Sequence, residues 1–207
     1  MVDKMIIDAD LCIKLGGSQK HQFLYEVLPL VSNQIYMHTH AYGEVMMPSS
    51  AVKQLKTLVA EGNVVLVNEN NLDKKDRVIY DAAYKNLEKV MINPKHPNKN
   101  KGETCSLAYA KATGIPIFAT DEMNLQPIID SQLNTGIDDI TCLRIVDIVK
   151  KAKSGEIDVP RKVCKALWVI AGKSKEKFDN ELWPIVALYE YIVDFPWCMR
   201  NRNRHRY

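Results

Sequence analysis

The chain has 207 residues, 46% hydrophobic and 26% charged, with a net charge of +3: enough for one substantial core or a core domain with an appendage. No stretch holds the roughly 18 consecutive apolar residues of a membrane span, and Asp3, Lys4 and Asp8 interrupt the start where a secretory signal would be basic and then apolar, so a cytoplasmic protein with no membrane partner is expected. Five scattered cysteines, Cys12, Cys105, Cys142, Cys164 and Cys198, include no Cys-x-x-Cys pair, which argues against a disulfide framework or a structural zinc site.

In chain order, "KMIID" is the first predicted strand and "HQFLYEVLPLVSN" a helix, with apolar residues at Phe23, Leu24, Val27, Leu28 and Val31. "QIYMH" follows as a second strand, then a helical turn in "AYGEVMMP" closed by Pro48. "SSAVKQLKTLVAEGN" reads as a helix with serines to cap its start and Gly62 to end it. "VVLVN" is a short β-branched strand, and "DKKDRVIYDAAYKNLEKVM" a long amphipathic helix leading into the polar loop "NPKHPNKNKG". A helix over "ETCSLAYAKATG", a strand over "IPIFAT" and a short strand over "DITCL" complete the alternation, after which the chain turns helical. Strands alternating with helices predict βαβ units: an α/β fold with a mostly parallel sheet covered on both faces.

Ligands of such sheets bind beyond the carboxyl ends of the strands. Asp8 ends the first strand and Asp121 ends "IFATD"; Glu44 follows the second strand, and Glu103 opens the helix that leads to Asp121. "KGETCSLAYAKATGIPIFATDE" thus joins an acid at a helix start, a small-residue helix, a glycine turn, an apolar strand and a Thr-Asp end.

Together with "MIIDADLCI" and "THAYGEV", that stretch resembles the PIN-domain ribonuclease family, whose pattern is a strand ending in Asp, a Glu after the second strand, an acid opening a helix, and an Asp following Thr. Asp8, Glu44, Glu103 and Asp121 match in that order. The resemblance covers residues 1–142, and residues 143–207 form a helical extension; the third acid is Glu where many members have Asp. It implies a PIN-like three-layer α/β/α fold, RNA as the substrate, and a toxin-like role with an antitoxin-like protein partner.

Carboxylates converging on one pocket repel each other unless a divalent cation intervenes, and Mg²⁺ or Mn²⁺ suits hard oxygen ligands. The expected chemistry is metal-assisted hydrolysis of RNA phosphodiester bonds. Asp8, Glu103 and Asp121 are the expected metal ligands, with Glu44 binding a second ion or orienting the water. Thr120 would hydrogen-bond a carboxylate or the nucleophile. Asp10 is expected to cap the first helix or support Asp8, and Glu122 to point away from Asp121, because strand neighbours alternate. His38 and His40 share a strand period, which raises a two-histidine ribonuclease as a lesser reading.

Two rival functions remain open at this level. The Asp-x-Asp after the first strand also begins haloacid-dehalogenase-like phosphatases, with Asp8 as nucleophile and Asp10 as acid and base. A non-catalytic RNA-binding or regulatory protein is the other. Charge bears on both: residues 1–142 carry 14 Lys+Arg against 17 Asp+Glu (−3), and residues 143–207 carry 14 against 8 (+6). The tail "NRNRHRY", with Arg202, Arg204 and Arg206 following Arg200, is a candidate phosphate-binding segment. The amphipathic stretches "TCLRIVDIVKKAKSG" and "KFDNELWPIVALYEYIVDF" are expected to pack on the body or to form a homodimer.

Overall fold

The computed structural model describes residues 2–133 and 135–184. Arg200, Arg202, Arg204 and Arg206, and the second half of "KFDNELWPIVALYEYIVDF", lie outside the described residues.

The described chain forms an α/β fold around a five-stranded, all-parallel sheet in the order β3-β2-β1-β4-β5. The strands are β1 (Val2–Ile7), β2 (Ser32–His38), β3 (Val64–Val67), β4 (Ile117–Ala119) and β5 (Thr141–Leu143). In β1, Met5, Ile6 and Ile7 are all buried, the continuous apolar run of a parallel strand covered on both faces. At the β3 edge the pattern relaxes, and Val65 is exposed.

Between β1 and β2 lie helices α1 (Ala9–Gly16) and α2 (Phe23–Val31); between β2 and β3 lie α3 (Thr39–Glu44) and α4 (Ser49–Ala60). The connection from β3 to β4 carries α5 (Lys74–Met91) and α6 (Lys101–Thr113), and that from β4 to β5 carries α7 (Leu125–Asp130). The chain steps outward from β1 through β2 to β3, then crosses back past β1 to β4. Right-handed crossovers in opposite directions place their helices on opposite faces, and the core divides accordingly. Met5 and Ile7 pack with α1, α2 and α4, whereas Ile6 and Phe118 pack with α5, α6 and α7. Helix α6 is buried nearly all round, and its Ala108, Ala110 and Ala112 let it sit close between α5 and the sheet.

After β5, α8 (Ile145–Lys153) and α9 (Arg161–Ile170) return to the first face, where Ile148, Val149, Cys164 and Leu167 join its core. A short α10 (Lys175–Lys177) and a π-helical turn (Phe178–Leu182) follow, with Phe178 buried in the same cluster. Among the described residues, no helix is long and apolar enough to cross a membrane.

The short strand expected in "DITCL" is Thr141–Leu143, which pairs with β4 at the sheet edge before α8 begins. The start of α4 differs from the sequence reading. Ser49 and Ser50 do not cap α4, because they are its first two residues and Pro48 holds the N-cap position. Ser50 Oγ instead donates to the carbonyl of Gly16 at 2.7 Å, and Gln54 Nε2 donates to it at 3.3 Å. These two donors satisfy the end of α1, and they reach it because Gly16 has no side chain: a Cβ there would lie 2.5 Å from Ala51 Cα.

Gly16→Ala is therefore expected to lower stability by about 1 to 3 kcal/mol through overpacking, despite alanine's better helix propensity. Urea denaturation checks this, and an unchanged or raised midpoint would show that α1 and α4 can part at little cost.

Candidate active site

The strand order reverses between β1 and β4, where crevices open at carboxyl ends in sheets of this kind. The Asp8 N–H donates to the Ala119 carbonyl at 2.9 Å, and the Thr120 N–H to the Leu143 carbonyl at 3.1 Å, so main-chain bonds hold the ends of β1, β4 and β5 side by side. Asp8 leaves β1 at the N-cap position of α1, which makes Asp8, not Asp10, the residue preceding the helix. Its side chain caps nothing and is only 1% exposed.

The Thr120 hydroxyl donates to Asp8 Oδ2 at 3.3 Å and accepts the Glu122 N–H at 3.2 Å. Asp8 Oδ1 is buried with no hydrogen-bond partner among the described residues. A buried polar atom without a partner costs free energy, more so if charged. Burial first, and the charge of Glu103 second, push the Asp8 carboxyl up to about 7; Asp10 and Glu44 add to the effect, while the Ala9 amide opposes it.

Glu44 and Glu103 meet at the start of α6. Glu44 ends α3, and its Oε1 accepts the Gly102 N–H at 3.2 Å. A Cβ on Gly102 would lie 2.8 Å from both carboxylate oxygens of Glu44, so the glycine makes room for it. Glu103 stands in the first helical turn, where the helix dipole favours an acid. Even so, both carboxyls are raised. Burial is the main cause for each; the Gly102 amide and His40 oppose it at Glu44, while Glu44, Glu122 and Asp10 reinforce it at Glu103 against its own amide.

Asp121 faces elsewhere. Its Oδ2 accepts from Lys14 Nζ at 3.0 Å, and its Oδ1 accepts the Ile145 N–H at 3.4 Å. Lys14 also pairs with Asp10 at 2.9 Å. Although partial burial works against the ammonium, these two bonds keep the Lys14 pKa above its ordinary value. The fold thus places Glu103, Asp10 and Glu44 in electrostatic reach of Asp8, and Glu122 in reach of Glu103, and joins Asp121 to Asp10 through Lys14. Because β4 ends at Ala119, strand alternation does not govern residues 120–122, and the charge of Glu122 acts on Glu103.

Two contributors escaped the sequence reading: Lys14 and Gly102. Lys14 was signalled by its i,i+4 spacing from Asp10, and Gly102 by its place directly before Glu103. The two histidines do not form a catalytic pair. His38 ends β2, fully buried, and its Nδ1 accepts the His40 N–H at 3.2 Å to cap α3. Its ring stacks on His40 with centroids 5.5 Å apart. Burial, opposed by Glu69, lowers the His38 pKa to about 4.

Among the described residues, no three His, Cys, Asp or Glu side chains stand together as a ready-made metal cage. The donor set nonetheless fits a hard divalent ion: carboxylate oxygens and a hydroxyl, an unpaired buried oxygen on Asp8, and three carboxyls raised by burial, Asp8 and Glu103 also by neighbouring acids. Mg²⁺ commonly takes only one or two carboxylates and keeps its remaining positions for water and substrate phosphate. Comparison of the chain with protein-family models, curated proteins and solved structures gives no match.

The raised Asp8 pKa sets a sign for pH dependence. The folded state holds a proton on Asp8 up to about pH 7, whereas an ordinary aspartate loses it near 3.8; stability is therefore lost as pH rises through that window. In EDTA, Asp8→Asn should gain stability relative to the unmutated chain between about pH 4 and 7, by on the order of 4 kcal/mol in total. Chemical denaturation across that range checks it, and a constant difference would mean that Asp8 is ionised throughout.

Proposed function

We propose that the chain is a divalent-metal-dependent endoribonuclease of the PIN-like kind, hydrolysing RNA phosphodiester bonds at the Asp8–Glu44–Glu103 cluster. The observation that carries this reading is the buried, half-unpaired Asp8 carboxylate at the strand-order reversal, crowded by acids from other segments without enough positive charge to balance them. The ordered match of Asp8, Glu44, Glu103 and Asp121 to the family pattern supports it. An Mg²⁺ or Mn²⁺ ion bound there would supply a hydroxide nucleophile near neutral pH and charge stabilisation for the leaving oxygen.

The chain's own groups divide the remaining work. Thr120 fixes the Asp8 carboxylate through Oδ2, leaving Oδ1 for the ion. Glu103 and Glu44 offer oxygens from the start of α6, and the Gly102 amide holds Glu44 in place. Asp8 would have to give up its proton to hold a cation, so binding is expected to strengthen with pH. Lys14 holds Asp121 beside the cluster and balances part of its charge. The pairing of Asp10 with Lys14 weighs against the phosphatase reading, which needs Asp10 as a free acid and base.

Purified protein is expected to cleave single-stranded RNA with Mg²⁺ or Mn²⁺ and not in EDTA. Asp8→Asn should reduce the rate by more than about 100-fold and Thr120→Val by about 10-fold, with the fold intact by circular dichroism. Cleavage that persists in EDTA, or in Asp8→Asn, would refute the mechanism.

A further inference from the structure

Beside Asp121 a cavity of about 390 Å³ opens between α1, the start of α8 and the end of α9. Three cations line it: Lys14, Arg144 and Lys173. Ile170 also lines a second cavity of about 490 Å³, where Lys162, Lys165 and Lys175 stand around His21 and Phe23. The His21 and Phe23 rings are stacked, with centroids 4.9 Å apart. The two spaces therefore adjoin across the last turn of α9.

Two of these six cations are neutralised, Lys14 by Asp10 and Asp121 and Lys165 by Asp179. Arg144, Lys162, Lys173 and Lys175 have no carboxylate partner among the described residues. Arg144 Nη2 donates to the Met123 carbonyl at 2.9 Å, which restrains the guanidinium at the cavity. Residues 143–184 carry 10 Lys+Arg against 6 Asp+Glu, a net +4. A positive strip thus begins beside Asp121, at Lys14.

A small anion needs one such spot, whereas unpaired cations spread over two adjoining cavities suit a chain of successive phosphates. Exposed groups in the two cavities suit unstacked bases: Met123 is 62% exposed in the first, and in the second Val169 is 37% exposed near the exposed His21 ring, which covers the buried Phe23.

We propose that this strip is the track on which a single strand of RNA lies, running from the Lys162–Lys175 cavity past Arg144 and Lys173 to the acid cluster. The identity of the strand rests on the ribonuclease reading above; the track itself rests on the cations. Binding to it requires no metal, so it is separable from cleavage.

The test is fluorescence anisotropy of labelled single-stranded RNA with the full chain in EDTA over a range of salt. Arg144→Gln/Lys173→Gln and Lys162→Gln/Lys175→Gln are each expected to weaken binding about 10-fold at about 100 mM salt. Each should also reduce the slope of log affinity against log salt by about 1.4, for two lost phosphate contacts. Lys162, Lys173 and Lys175 are exposed and unpaired, so the second pair probes binding without disturbing a structural bond. Lys85→Gln/Lys89→Gln, on exposed positions of α5 across the sheet, should change neither value. No RNA binding by the unmutated chain, unchanged binding by both track pairs, equal weakening by the α5 pair, or competition by poly-glutamate as strong as by RNA would each overturn the track. Loss of cleavage with binding intact would bear on the nuclease reading alone.

Discussion

The main-chain hydrogen bond from Asp8 to Ala119, 2.9 Å long, joins the ends of β1 and β4 at the point where the strand order reverses. It fixes Asp8 and Thr120 opposite one another, so the threonine hydroxyl bonds the carboxylate and the rest of the pocket is built around that pair. Helix α1 begins immediately after Asp8, and helix α8 begins with the amide that bonds Asp121. Moving either strand end by one residue would exchange Asp8 for an apolar neighbour, because strand periodicity permits no intermediate register. The position of the carboxylate is therefore set by the sheet, not by a mobile loop.

The acids around Asp8 are arranged against their own electrostatics. Glu44 and Glu103 share the start of α6, where an amide and the helix dipole favour them, yet burial raises both and neighbouring acids raise Glu103 further. Natural folds keep such conflicts where function needs them. Lys14 answers part of the charge, but it bonds Asp10 and Asp121, and Asp8 retains an unpaired oxygen. Gly102 belongs to the same economy of space: any side chain there would push Glu44 off the amide that holds it.

The parallel α/β architecture was legible because its signals are local: β-branched runs such as Val64–Val67 and caps such as Asp73, whose side chain accepts the Asp76 N–H. The strands in "IPIFAT" and "DITCL" were legible as well, and their pairing trims each to three residues. The proximity of Asp8, Glu44 and Glu103 could be inferred from strand and helix ends, since each sits at a terminus that the topology gathers. The direction of Asp121 could not, because Lys14 and the Ile145 amide that draw it lie on separate helices. Asp10 misled for a related reason: α1 starts two residues earlier than an Asp10 cap requires. The basic strip on α9 was visible only as a net charge, and its assembly from α1, α8 and α9 is a tertiary fact.

Anomalous scattering from crystals equilibrated with Mn²⁺ near pH 8 tests the central claim most directly. The account predicts a manganese peak in coordination contact with the Asp8 carboxylate and an oxygen of Glu103, lost in Asp8→Asn. Full Mn²⁺ occupancy at other sites with none at Asp8 would contradict it.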